Sequence, residues 1–333
     1  MILKQQEPYV YAVTRIHANE KHLLSSQDLE QLIAAKDLTT AIRYLSDKGW
    51  GSSDLLQNNQ NNSDALISYE TKRTWELVDE LVGDDASFEV FRIANDYHNL
   101  KAAIKLCWLD ENKLKDNKCF LKYGTVPIEK IISATIENNF SLLPEQVAIA
   151  GSAAHEALIN TKSGQTVDII IDKATLFAID AAGKKSESVL LQHYARMTVD
   201  MANIKSAVRC LSMGKGSVFT EQVIAKCGSL NIEKLLKGAC ADEESIWACL
   251  KNTEYEEAIE KLKQSVSAFE CWCGNKIIKL IKPQLKNYFT IEPIAAYILA
   301  RENEFKLVRL ILSAKQNSIS VNTLRERLCD TYV

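Results

Sequence analysis

The chain has 333 residues, a formal charge of −3 from 40 Lys and Arg against 43 Asp and Glu, and only 12 glycines and 5 prolines. One hydrophobic core rarely serves more than roughly 250–300 residues, and average proteins hold roughly 12% Gly plus Pro, so a turn-rich all-β fold is excluded and several helical modules are expected. An apolar share of 47% with 25% charged residues excludes collagen-like, disordered and disulfide-scaffold classes, and the near-neutral balance excludes a global basic footprint for nucleic acid.

Lys4, Glu7 and Pro8 follow Met1 without the apolar stretch of a secretory signal, so a cytoplasmic site is expected. From Asp28 to Leu45 the apolar residues Leu29, Leu32, Ile33, Leu38, Ile42 and Leu45 recur mostly at steps of three to five. With Ser25 or Ser26 able to cap the start, this predicts a helical hairpin. Gly49, Trp50 and Gly51 end the pattern, the Asn/Gln-rich stretch from Gln57 to Ser63 makes 49–64 the first loop, and helix resumes near Ala65. Further breaks are expected at Gly124–Pro127, Pro144, Lys162–Gln165, Ala181–Lys184, Gly214–Gly216, Gly238–Glu243 and Thr290–Pro293. The β-branched run Val167–Ile171 reads as buried helix, because strands this sparse would have no sheet to join. The longest run free of Asp, Glu, Lys and Arg, Gln146–His155, spans ten residues. A membrane-crossing helix needs about 20.

Repetition is the most informative feature. Residues 92–105 read RIANDYHNLKAAIK and residues 196–209 read RMTVDMANIKSAVR; both fit RxxxDxxNxKxx[IV][KR], 104 residues apart. A third copy, ILARENEFKLVR at 298–309, keeps Asn303, Val308 and Arg309, and RIHANEKHLL near the N-terminus is a weaker echo with Asn19 and Lys21. Counting from each Asn, Leu100, Ala103, Ile104 and Cys107 match Ile204, Ala207, Val208 and Leu211, which makes one apolar helix face. Arg92, Asp96 and Asn99, like Arg196, Asp200 and Asn203, lie along one side of their helices. An ion pair and an Asn hydrogen bond there would tie each helix to a neighbour. The copies imply three related helical modules of about 100 residues, 1–110, 111–214 and 215–333, closed around an axis or stacked as a short solenoid.

Catalytic chemistry leaves little trace. Nine cysteines cannot all pair and none forms CxxC, Cys271 and Cys273 being nearest in sequence, so free thiols packed as small apolar groups in a reducing compartment are expected. His17, His22, His98, His155 and His193 show neither HxxxH nor HExxH, and no metal or cofactor is expected. Gly214–Lys215–Gly216–Ser217 lacks the spacing and preceding strand of a phosphate loop and reads as a helix C-cap. Glu254, Glu256, Glu257 and Glu260 read as a solvated helix face, and the lysines from Lys276 to Lys286 as snorkelling around an apolar stripe. Trp75, Trp108, Trp247 and Trp272 fall at apolar helical phases and are expected in the core.

The opening YVYAVTRIHANEKHLLSSQDLEQLIAAKDLTTAIRYLSD, the central NDYHNLKAAIK and the C-terminal YILARENEFKLVRLIL resemble the central-stalk C-subunit family of V/A-type rotary ATPases, known as the d subunit in eukaryotic V-ATPases. The resemblance spans nearly the whole chain; the polar stretch at 57–63 departs from it as a local insertion. It implies an all-α funnel of three pseudo-symmetric modules around a central opening, seated on the cytoplasmic face of the membrane rotor ring (c/K type) and receiving the end of the shaft (D and F type subunits). One copy per complex would transmit torque without chemistry of its own. Arg92, Asp96, Asn99, Lys101, Arg196, Asp200, Asn203, Lys205, Asn303 and Arg309 are then candidates for bracing neighbouring modules or facing the opening. Composition and repeats alone also admit a helical-repeat adaptor with a peptide groove, or an enzyme using Lys215 on a nucleotide.

Overall fold

The computed structural model describes residues 7–52, 62–83, 85–115 and 119–333. It is all-helical, with no strand among the described residues. They divide into two compact units, one made of 1–85 with 257–333 and the other of 86–256. Most of the expected polar linker, residues 57–61, lies outside the described residues; helix resumes at Ser63, where the Asn62 side chain accepts from the Ala65 amide at 2.9 Å.

The first unit holds α1 (Glu7–Glu20), α2 (Ser26–Ala34), α3 (Leu38–Asp47) and α4 (Ser63–Val82) from the N-terminal part. From the C-terminal part come α13 (Ala258–Gln264), α14 (Val266–Ile281), α15 (Glu292–Gln316) and α16 (Val321–Arg325). The expected hairpin is α2–α3. Ser25 and Asp28 satisfy each other's backbone amides in a capping box, and Asp37 accepts from Thr40 N at 2.8 Å to start α3. The spine of the unit is α15. Ile294 to Ala300 are buried on every side, so the first half of this helix must be wrapped, and Leu307, Val308, Ile311 and Leu312 continue as one buried face of the second half. Leu29, Leu32 and Ile33 of α2, Ala41, Ile42 and Leu45 of α3, and Leu66 and Ile67 of α4 close one core with it. Each fully buried Leu or Ile there contributes about 1.5–3 kcal/mol before entropy is counted.

The second unit holds α5 (Glu89–Leu109), α6 (Ile128–Ile136), α7 (Glu145–Thr161), α8 (Gly164–Lys185), α9 (Val189–Ser212), α10 (Ser217–Val223), α11 (Ile232–Ala239) and α12 (Glu243–Leu250). Helix α8 packs against α5, α7 and α9. Val167 and Ile171 are fully buried on it, joined by Leu100, Ala103, Ile104, Ile131, Ala154 and Leu158, so the β-branched run is helical as expected.

Several expectations fail. In place of the break expected at Ala181–Lys184, α8 runs through to Lys185. Gly183 serves there as a contact and not as a stop: a Cβ on it would come within 2.3 Å of the Ala195 Cβ, so its absence lets α8 and α9 approach. Trp108 is 46% exposed, unlike Trp75 and Trp247, because it sits in the last turn of α5 where the helix leaves the core; Trp272 is only half-buried, and Cys119 and Cys240 are exposed and not packed as small apolar groups. The Gly214 tetrad is a helix cap: Gly214 has φ +61, its amide donates to Leu211 O, and Lys215 N donates to Cys210 O, the paired bonds of a Schellman ending.

Candidate functional site

The two full copies of the motif make the same hydrogen bonds at the same sequence distances. Asn99 donates through Nδ2 to Leu121 O at 2.8 Å and accepts through Oδ1 from Leu121 N at 2.7 Å, pairing its amide with one backbone residue of the loop after α5. Asn203 does this to Ala225, 2.9 Å each way, and both pairs are 22 residues apart. Asp96 accepts from Thr125 N at 3.1 Å, Thr125 Oγ1 at 2.6 Å and Val126 N at 2.9 Å. Asp200 accepts from Ser229 N at 2.8 Å, Ser229 Oγ at 2.5 Å and Leu230 N at 3.3 Å, again 29 and 30 residues ahead.

All four side chains are buried, at 0–2% exposure, so these bonds satisfy groups that water does not reach. Each carboxylate is pressed against a loop glycine. A Cβ on Gly124 would lie 2.1 Å from Asp96 Oδ1, and one on Gly228, which has φ +90, would lie 2.2 Å from Asp200 Oδ1. A side chain at either position would push the carboxylate away from its donors.

Electrostatics differ between the copies. Burial pushes the Asp96 carboxyl above its ordinary value, against the opposing pull of the Thr125 and Val126 donors and the nearby Arg92 charge. Asp200 has a further donor, the Tyr255 hydroxyl at 2.9 Å, and Tyr255 is fully buried. Desolvation, reinforced by the Asp200 charge, drives the Tyr255 phenol well above its usual range, so it stays a donor.

The remaining candidates are peripheral to these clamps. Lys101 reaches Asp172 of α8 at 2.6 Å beside the Lys105–Asp168 pair at 3.0 Å. Arg196 is exposed and lies 3.5 Å from Glu254, which also pairs with His193 at 3.0 Å, so Glu254 is tied to α9 and does not stand on a solvated helix face. Arg92 and Lys205 are half-buried, and Arg309 is exposed. In the third copy Ala300 stands where the Asp would be, and Asn303 Nδ2 donates to Asp330 O at 3.0 Å, 27 residues ahead. Asn19 turns back onto its own helix at Arg15 O, 2.8 Å away.

Sequence reasoning missed a buried charge cluster on α15. Arg301 donates from Nε to Thr74 Oγ1 at 3.1 Å, from Nη2 to Glu70 at 2.6 Å and from Nη1 to Glu304, while stacking on Phe305 and Trp50 at 4.7 and 5.2 Å. Glu70 also accepts from Gly51 N at 2.9 Å and Glu304 from Leu24 N at 2.5 Å. Burial alone would lower the Arg301 pKa, but Glu304, Tyr297 and Glu70 outweigh it and hold the guanidinium charged; burial likewise raises Glu304 despite Arg301. The one available signal was an Arg–Glu–Asn–Glu run directly after the apolar stretch Ile294–Ala300.

These groups order helices against loops and leave no cluster of three metal-ligating side chains among the described residues. An apolar groove of about 840 Å³ lies in the second unit, lined by Ile149, Ile169, Ile170 and Phe177 with Lys173 and Lys185 at its edges. No helix of the described residues is long and apolar enough to cross a membrane.

Comparison with known proteins matches nearly the whole chain to one family. Residues 12–327 match the ATP synthase (C/AC39) subunit family. The V-type sodium ATPase C subunit of Enterococcus hirae is 20% identical over 95% of this chain and 97% of its own length. The A-type ATP synthase C subunits of Desulfurococcus sp. and Thermococcus onnurineus are 21% and 22% identical over 98% and 99% of this chain, with 92% of each relative covered. The chain belongs to the ATP synthase (C/AC39) subunit family.

Proposed function

We propose that this chain is the C subunit of a V/A-type rotary ATPase, a non-catalytic part of the central stalk that couples the rotating shaft to the membrane ion-translocating ring. Its partners in this reading are shaft subunits of the D and F type and a ring of the c/K type, with one copy per complex on the cytoplasmic face of the membrane. The three motif copies would make a funnel of pseudo-symmetric modules, with 1–110, 111–214 and 215–333 as its repeats.

The observation that carries the reading is the family match over residues 12–327, with relatives matched along nearly their full length. The clamps support it. A torque-transmitting part needs helices that do not slide against the loops they pack on, and a bidentate Asn plus a buried carboxylate fix two points of each loop to one helix. In this reading Asp96, Asn99, Asp200 and Asn203 brace the body, and Arg92, Lys101, Arg196, Lys205, Asn303 and Arg309 sit at the edges of the same contacts.

The test mixes the purified chain with shaft and ring subunits of a V/A-type ATPase and measures stoichiometry by size-exclusion chromatography with light scattering. A one-to-one complex with the shaft, and one copy on each ring, is expected. Failure to bind both under native conditions would remove the rotary assignment.

A further inference from the structure

Two cysteines far apart in sequence meet in the first unit. The Cys271 thiol on α14 donates to Leu328 O at 3.2 Å, beside Cys329 in the segment that follows α16. Gly274, one turn further along α14, lies so near that a Cβ on it would be 2.8 Å from the Cys329 sulfur. Cys271 and Cys329 are thus neighbours between α14 and the segment after α16. Both residues are half-buried, and Cys271 lines a cleft of about 680 Å³ with Trp272, Asn275 and Thr323, which gives a small solute a route to its sulfur.

The segment carrying Cys329 is a strap laid across several helices. Asp330 N donates to Asn275 Oδ1 at 2.7 Å and its carbonyl accepts from Asn303; the Thr331 hydroxyl meets the Ser26 hydroxyl at 2.9 Å, and Tyr332 OH donates to Glu20 at 3.1 Å. The loops after α5 and α9 are each held by a buried Asp of the motif helix, but here that position is Ala300. The strap therefore has the Asn of the repeated clamp without its carboxylate, and a thiol pair lies beside it.

We propose that Cys271 and Cys329 form a reversible disulfide that fastens this strap to α14. The oxidant is a small disulfide of the glutathione class. The Cys271 thiolate attacks one sulfur of oxidised glutathione, the glutathione S–S bond breaks, and one glutathione leaves as a thiol after taking up a proton. The Cys329 thiolate then attacks Cys271 in the mixed disulfide and releases the second glutathione. Two protein thiols are oxidised and one glutathione disulfide is reduced to two thiols. Burial, reinforced by Cys271, pushes the Cys329 thiol up to about 12, so it acts second and slowly.

The full-length protein is incubated across a series of reduced-to-oxidised glutathione ratios, its free thiols are alkylated, and the digest is read by tandem mass spectrometry. The expected product is a dithiothreitol-reversible link between Cys271 and Cys329, with Tm raised by roughly 5–10 °C. Cys273→Ser keeps both effects and Cys329→Ser loses both. Glutathione adducts alone, a link through Cys273, or no link at ratios that oxidise the exposed Cys119 and Cys240 would overturn the proposal. These outcomes are read on the wild-type chain and stand even if Cys329→Ser fails to fold.

Discussion

Asp96 and Asp200 hold the same place in two copies of one motif, and each gathers donors from the loop ahead of it. Asp96 has three donors, and burial outweighs them, so its folded pKa lies above the unfolded value near 3.8. A carboxyl raised in this way contributes stability that is fully present below that value and lost as pH rises through the folded pKa. The stability gap between wild type and Asp96→Asn should therefore shrink as pH rises from the ordinary carboxylate range toward neutrality in urea titrations. A gap that widens would mean that the donors win over burial. Asp200 gains a fourth donor in Tyr255, and Asp200→Ala would remove the acceptor shared by the buried Tyr255 hydroxyl, the Leu230 amide and the Ser229 amide. The cost should be about 3–5 kcal/mol, or a Tm lowered by on the order of 10 °C in differential scanning calorimetry. A variant that melts at the wild-type temperature yet loses shaft binding would show that Asp200 contacts the shaft and does not brace the body.

At the level of elements, α15 is the helix that the first unit cannot form without, and its buried charges are the most exposed point of that design in energetic terms. Arg301→Met would strand Glu70 and Glu304 among apolar side chains, at a cost of about 3–5 kcal/mol. Adding Glu70→Gln and Glu304→Gln keeps acceptors for Gly51 N and Leu24 N while removing both charges, and should return much of that loss. Urea midpoints of the single and triple variants decide it; a triple variant weaker than the single would mean that the carboxylates contribute beyond their pairing.

The motif helices were legible from the sequence because their apolar face and their Asp and Asn recur in register 104 residues apart. Their partners were not. The Asn residues bond to main-chain atoms of Leu121 and Ala225, and a backbone acceptor carries no residue-type signal. Gly124–Thr125–Val126 was visible as a turn and Gly228–Ser229–Leu230 was not, and only contact with a buried carboxylate shows why each starts with glycine. Arg301 escaped notice because its two carboxylate partners come from α4 and from its own helix, and only the folded core brings Glu70 to it.

At the scale of the whole molecule, the repeats and the compact units divide the chain at different places. The proposed repeat boundaries, after residues 110 and 214, would fall between each motif helix and the loop it clamps: Asp96 and Asn99 bind residues 121–126, and Asp200 and Asn203 bind residues 225–230. The compact unit 86–256 keeps both clamps whole, with the Tyr255 hydroxyl on Asp200 and the core formed by α5, α6, α7 and α8. A fragment of residues 86–256 should unfold in one cooperative step in circular dichroism, and a fragment of 111–214 should not, because it carries Leu121 and Thr125 without α5 and Asp200 without its loop. Cooperative unfolding of 111–214 alone would make the repeat the folding unit and reduce the clamps to ties between finished modules. A non-cooperative 86–256 would instead mean that its core depends on the rest of the chain.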